Sequence, residues 1–395
     1  MSSLHGIRVL ELGSFITGPY AAMLLGDLGA DVVKIETPSA ADPFRSFEGE
    51  EMSSHFEAYN RNKRSLALDT RATEGRAILL RLVADADCII FNQRPTAIVR
   101  HSLDYETLSR VNRRLVACYV TGFGADGPAA ERPAFDNVGQ ALSGWSSRFR
   151  VPGGDARVAG PAVSDAVTGL FAALGIVAAL AERGTHGPGR MVEVNMLAAT
   201  MAFAMEPFAG WFHTGRPVPV YGRGAASQAY TVTCRDGRRL ALHLSSPPKF
   251  WEQLCAAIER DDWIARYSNR ADRVADYELI ADELSVAFSK KTRDEWIARL
   301  SQFDVPFAPE HELGDVESDP QVVHLGLVAE SASSDGTRFR TIRSPLQFDH
   351  ESGVIAPPPR LGEHSRDVLT ECGLTADEVD DLVRAGVVAV AEQPS

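Results

Sequence analysis

The chain has 395 residues, 45% hydrophobic and 24% charged, with a formal net charge of -13. That length exceeds a single ordinary core and predicts a globular chain of two domains. The acidity excludes a general nucleic-acid binder, because such a surface repels phosphate backbones at long range, so an anionic ligand needs a local basic patch.

Compartment and membrane use follow from composition. The five cysteines, Cys88, Cys118, Cys234, Cys255 and Cys372, are odd in number, widely spaced and free of any CxxC pair. The pattern predicts reduced thiols in a cytoplasm and no disulfide framework or metal site. Glu11 interrupts the N-terminal run before an apolar stretch develops, so a signal peptide is not expected. The longest apolar run, residues 169–181, is shorter than the roughly 18 to 20 residues that span a bilayer. It reads as a buried helix, and no membrane partner is expected.

In chain order, IRVLEL (7–12) predicts a strand, a helix follows that stops at Gly29, and DVVKIE (31–36) predicts a second strand. Such a unit implies a parallel pair with a right-handed crossover. The first turn reads GSFITG rather than GxGxxG, so no dinucleotide is proposed. No P-loop, GxSxG or HExxH motif occurs. YNRNKRSLALDTR (59–71) departs from the acidity, with Arg61, Lys63, Arg64 and Arg71 bracketing a short strand as either a solvated turn or an anion site. A helix (73–86) and a buried strand (87–91) follow. Asn92, Gln93, Arg94 and Pro95 then fall at the carboxyl end of that strand, where open α/β sheets place ligands. RLVACYVTGFG (114–124) is a further strand entering a glycine-rich loop.

GPAVSDAVTGLFAALGIVAAL (160–180) sets one carboxylate, Asp165, among small and apolar residues. Its place predicts a helix cap, a nucleophile or both, with the helix N-terminus keeping the group ionised and Gly169 leaving space beside it. Beyond it come a strand (191–195) and one long apolar helix ending near His213. A hairpin turning at Asp236 and Gly237 and charged amphipathic helices then read as a smaller α+β domain. The tail carries short strands, a proline-rich link and a final helix, 375–386, that packs back on the first domain. The predicted domains are 1–224, 225–320 and the return segment 321–395.

GIRVLELGSFITGPYAAMLLGDLGADVVKIETP, YNRNKRSLALD, the strand and loop at Asn92, the Asp165 helix, VPFAPEHELGDVESDPQVVHLG and LGEHSRDVL together resemble the class III CoA-transferases. The resemblance spans essentially the whole chain. It implies a large Rossmann-like domain built from both chain ends, a smaller α+β middle domain and an interlinked homodimer. It also implies transfer of CoA from an acyl-CoA to a small carboxylic acid, with no tightly bound cofactor. Asp165 is implied as catalytic, and Phe15, Thr17, Leu68, Arg71, Asn92, Gln93, Arg100 and Arg132 as CoA contacts, the arginines meeting phosphates.

Two departures stand out. Ile16 occupies the place of a glutamine in formyl-CoA transferases, which argues against a formate and oxalate specificity. Phe135 precedes Asp136 where related α-methylacyl-CoA racemases have a histidine, so a racemase, which needs an acid and a base on opposite faces, ranks second with intramolecular CoA transfer. A CoA-binding protein without activity is the third reading. Arg148, Arg150, His213 and Arg223 are offered as residues that select the acyl group.

Overall fold

A computed structural model describes every residue except 1–2, 48, 50–51, 150–156, 158–159, 186, 246, 334–335, 352 and 392–395. The chain divides into two compact units, one of residues 1–149, 153–205 and 326–395, the other of 150–152 and 206–325.

In the first unit, strands and helices alternate: β1 Arg8–Leu12, α1 Thr17–Asp27, β2 Asp31–Glu36, α2 Ser54–Asn60, β3 Lys63–Leu68, α3 Thr73–Asp85 and β4 Cys88–Phe91. There follow α4 Pro95–Arg100, α5 Tyr105–Val111, β5 Val116–Thr121, α6 Asp136–Leu142, α7 Val163–Arg183, β6 Met191–Asn195 and α8 Met196–Phe203. The first six strands lie parallel in the order β3-β2-β1-β4-β5-β6. Successive residues serve opposite faces. Leu10, Val33 and Ile89 join a core with Leu79 of α3 and Leu108 of α5, while Val9, Val32 and Ile90 join one with Leu25 of α1 and Ile176 of α7. A sheet buried on both faces explains why these strands read as nearly continuous apolar runs.

The strand order reverses between β1 and β4. Loops leaving two neighbouring strands there diverge and open a crevice at their carboxyl ends.

The chain end completes this sheet. A short strand, Val388–Ala389, pairs antiparallel with β3, and Leu369 and Val379 enter the same core as Leu79. His364 Nδ1 accepts from Ser65 N at 3.2 Å, and Ser365 Oγ accepts from Ala67 N at 3.1 Å.

α7 is long and apolar enough to cross a membrane, alone among the described helices. Its Ala172, Ala173 and Ile176 are buried in the sheet core, which identifies it as a core helix. The predicted helix ending at His213 is instead broken at Ala204, between α8 and the helix Met205–Thr214. Pro207 supplies the reason. It has no N–H to bond the carbonyl four residues earlier, so it is tolerated only in a first turn.

The second unit has a three-stranded antiparallel sheet, β7 Ala229–Thr233, β8 Arg239–His243 and β9 Phe307–Pro309. Its core stacks Trp251 on Trp263 at 5.7 Å.

The cations of the basic run 61–71 are paired with carboxylates of the same chain. Arg61 pairs with Asp27 at 2.6 Å, Arg64 with Asp31 and Glu371, and Arg71 with Asp69. Lys63 is fully enclosed and bonds Glu11 Oε2 at 2.8 Å. The other oxygen of Glu11 accepts from Lys34 at 2.8 Å, and Lys34 also meets Asp42 at 3.0 Å. Burial alone would raise the Glu11 carboxyl, but the Lys34 and Lys63 ammonium groups hold it below its ordinary value. Removing one partner of such a cluster strands a buried charge. Lys34→Met should therefore lower unfolding free energy by about 3–5 kcal/mol, read as a drop in the urea midpoint.

Candidate active site

The crevice holds a cavity of about 530 Å³ whose walls come from six segments: the loop after β1, the loop and helix after β4, the end of β5, residues 130–135, Asp165 and Met196. Two clamps shape the first loop. Asn92 accepts from Ser14 N at 3.1 Å and donates to Ser14 O at 2.6 Å and Thr17 Oγ1 at 3.1 Å. Asp42 Oδ1 accepts from Phe15 N at 3.1 Å and Phe44 N at 3.0 Å, and Phe15 sits at φ +63. That left-handed conformation is disfavoured for a bulky residue and is held in place by these bonds. The Phe15 ring then lies edge-on to Phe44 at 5.3 Å and Phe135 at 5.6 Å.

Asp165 occupies the third position of α7 and does not cap it. The cap comes from outside the helix. Asp136 Oδ1 accepts from Ser164 N at 2.8 Å and Asp165 N at 3.3 Å, and Gln140 Nε2 steadies Asp136 Oδ2 at 2.6 Å. With the helix end neutralised by Asp136, Asp165 is left 9% exposed, and among the described residues no donor reaches its carboxylate. Burial first, then the Asp136 charge, raises the Asp165 carboxyl to about 7. The helix N-terminus therefore does not supply the expected stabilisation of the Asp165 charge, because another carboxylate has taken the free N–H groups.

Gly169 leaves no empty space either. A Cβ there would lie 3.0 Å from both Thr17 O and Tyr20 Cδ1, so the missing side chain lets α1 and its first loop close on α7. Gly139 does the same for α6, where a Cβ would meet Ser164 Oγ at 2.4 Å.

Phe15, Thr17, Asn92, Gln93, Arg100, Arg132 and Asp165 all line the cavity. Leu68 lines a neighbouring cavity of about 320 Å³ that shares Ser14 and Gln93 with the first. Arg71 lies in neither. It is exposed and held against Asp69, two residues back. Arg94 joins Arg100 and Arg132 at the wall, and among the described residues none of the three is ion-paired. Of the acyl-selecting set, Arg148 lies in the first unit, and His213 and Arg223 in the second, Arg223 against Glu206. Arg150 lies outside the described residues. The sequence reading missed the cap by Asp136. The available signal was an acidic residue opening α6 with a glutamine four positions later on the same face.

The order 3-2-1-4-5-6 and a crevice edged by free guanidinium groups around a recessed carboxylate define an α/β protein built for an anionic ligand. The particular kind follows from its relatives. The model for CoA-transferase family III matches residues 4–365, and the chain belongs to that family. It is 32% identical to a succinate–glutarate CoA-transferase of Agrobacterium fabrum, over 93% of this chain and 95% of the relative. It is 28% identical to a formyl-CoA:oxalate CoA-transferase of Escherichia coli O157:H7, over 95% and 97%. A CaiB/BaiF family protein from Brucella suis superimposes with a TM-score of 0.81 at 28% identity, over 94% of this chain and 99% of that one. The protein is a class III CoA-transferase, and CoA thioesters are its substrates.

In a carboxyl-labelled NMR titration, one group should titrate near 7 and vanish in Asp165→Asn. Asp136→Asn keeps an oxygen for the two N–H groups but removes the neighbouring charge, so it should move that titration to lower pH.

Proposed function

We propose that the enzyme moves CoA from an acyl-CoA to a small carboxylic acid with Asp165 as nucleophile. The observation that carries this reading is the placement of one recessed, unbonded carboxylate in the wall of the cavity edged by Arg94, Arg100 and Arg132. In the first step an Asp165 oxygen attacks the thioester carbonyl, the C–S bond breaks, and CoA leaves as thiolate. The mixed anhydride is then attacked at the aspartyl carbonyl by the thiolate, which releases the donor acid and leaves an aspartyl–CoA thioester. The acceptor carboxylate attacks that thioester and expels thiolate again. The thiolate finally attacks the acyl carbonyl of the second anhydride, freeing the new acyl-CoA and Asp165.

Covalent steps of matched difficulty replace one unfavourable exchange. Each acyl intermediate is sensitive to water, and the apolar side chains of Phe15, Ile16, Phe135 and Met196 in the same wall favour transfer over hydrolysis. CoA is assigned contacts with Phe15, Thr17, Asn92, Gln93, Arg94, Arg100 and Arg132, with Leu68 reached through the adjoining cavity. The relatives named for succinate, glutarate, formate and oxalate support a small acid as acceptor. An interlinked homodimer and a cytoplasmic setting complete the reading. The free, mostly buried cysteines favour the latter.

Mixed with an acyl-CoA and digested, the enzyme should yield an acyl or CoA adduct on the Asp165 peptide by mass spectrometry. Asp165→Ala should lose transferase activity by about a thousandfold or more. An Asp165→Ala enzyme of undiminished activity would refute the nucleophile.

A further inference from the structure

Asp136 does not line the cavity, yet its carboxylate is fixed against the first turn of the helix that carries Asp165. Its Oδ1 accepts from Ser164 N at 2.8 Å and from Asp165 N at 3.3 Å. Its Oδ2 is held by Gln140 Nε2 at 2.6 Å, and the same Nε2 reaches Pro161 O at 3.4 Å, just ahead of α7. Behind these groups Ser164 Oγ meets Thr200 Oγ1 at 2.6 Å. A Cβ on Gly139 would lie 2.4 Å from Ser164 Oγ, so α6 sits tight against α7.

A side chain stays within a few bonds of its own N–H, so the Asp165 carboxylate lies within about one Debye length, roughly 8 Å, of the Asp136 charge. Among the described residues no lysine, arginine or histidine pairs with either carboxylate. The cations on the same cavity are Arg94, Arg100 and Arg132, which the phosphates of CoA would occupy. Burial and the Asp136 charge raise the Asp165 carboxyl to about 7. An ionised Asp165 is therefore the state that this end of the helix tolerates least.

We propose that Asp136 is a positioning residue whose fixed charge favours the covalent states of Asp165 over its free carboxylate. The proposal rests on Asp165 being the nucleophile. When an Asp165 oxygen adds to the thioester carbonyl, the C–S bond breaks and its electron pair leaves on sulfur, so the negative charge moves off Asp165. The thiolate then attacks the aspartyl carbonyl, the bond from that carbon to the bridging oxygen breaks, and the donor acid departs as a carboxylate carrying the charge. The aspartyl–CoA thioester left behind is neutral at Asp165 and no longer faces Asp136 as a like charge. Repulsion raises the energy of the free carboxylate alone, which loads the enzyme with CoA before the acceptor arrives.

Asp136→Asn keeps an oxygen for the two N–H groups and removes the charge. The full-length enzyme is equilibrated at about pH 8.5, where Asp165 is ionised, with the fastest of an acyl-CoA panel and rising amounts of that acyl group's own free acid. After an acid quench, mass spectrometry of the Asp165 peptide gives the fraction held as thioester. The free acid that empties half of the thioester should be about tenfold less concentrated for the variant than for wild type, the equivalent of one pKa unit. CoA affinity by calorimetry should stay within about twofold. An unchanged half-point overturns the proposal. So does a loss of CoA affinity that matches the shift, which would mark a structural role. A wild-type enzyme that never labels Asp165 overturns the nucleophile itself, and the role of Asp136 with it.

Discussion

The site depends on a buried ion cluster beneath its first loop. Glu11, Lys34 and Lys63 are wholly enclosed on three adjacent strands, and Asp42 joins them from the loop after β2. Removing such groups from water costs several kcal/mol per ion, which is recovered only when the remaining donors and acceptors are also satisfied. Here Lys34 also bonds Gly13 O, and Lys63 bonds Pro19 O and Asn60 Oδ1. The cluster therefore ties β1, β2 and β3 to the start of α1 and the end of α2. Through Asp42 it reaches Phe15 N, where the backbone is strained. A loop with a left-handed phenylalanine keeps its shape because charges that cannot leave are holding it.

The second constraint is the pairing of two carboxylates at one helix end. Asp136 takes the N–H groups of Ser164 and Asp165, so the backbone charge that would have stabilised Asp165 is spent on its neighbour. Asp165 is enclosed, unbonded and faced by a like charge, so it holds its proton nearer neutral pH than a solvated carboxylate does. Gly139 and Gly169 permit this by letting α6 and α1 approach α7 without side chains between them. Close packing here sets electrostatics as well as shape.

Much of the site was legible in sequence because its elements are local. The strands of the large sheet follow from apolar runs, and Asn92 and Gln93 follow from their place after β4. Asp165 stood out because it was the lone carboxylate in an apolar stretch. The internal pairing of the basic run 61–71 was hidden in sequence for a physical reason. Charge density along a chain does not tell which carboxylates will fold against it, and Asp27, Asp31 and Glu371 are distant in sequence from their arginines. Arg71 differs, pairing with its near neighbour Asp69.

The sequence by itself determined the alternation of strand and helix, the family and the carboxylate at the centre of the site. Periodicity, turn residues and motif order are properties of neighbours along the chain. Tertiary structure alone decided what state that carboxylate is in. The cap from Asp136, the filling of Gly169 by Tyr20, and the gathering of Arg94, Arg100 and Arg132 at one cavity all join residues far apart in sequence. A carboxyl group's proton affinity depends on the charges and water around it in space. Those are set only when the segments pack.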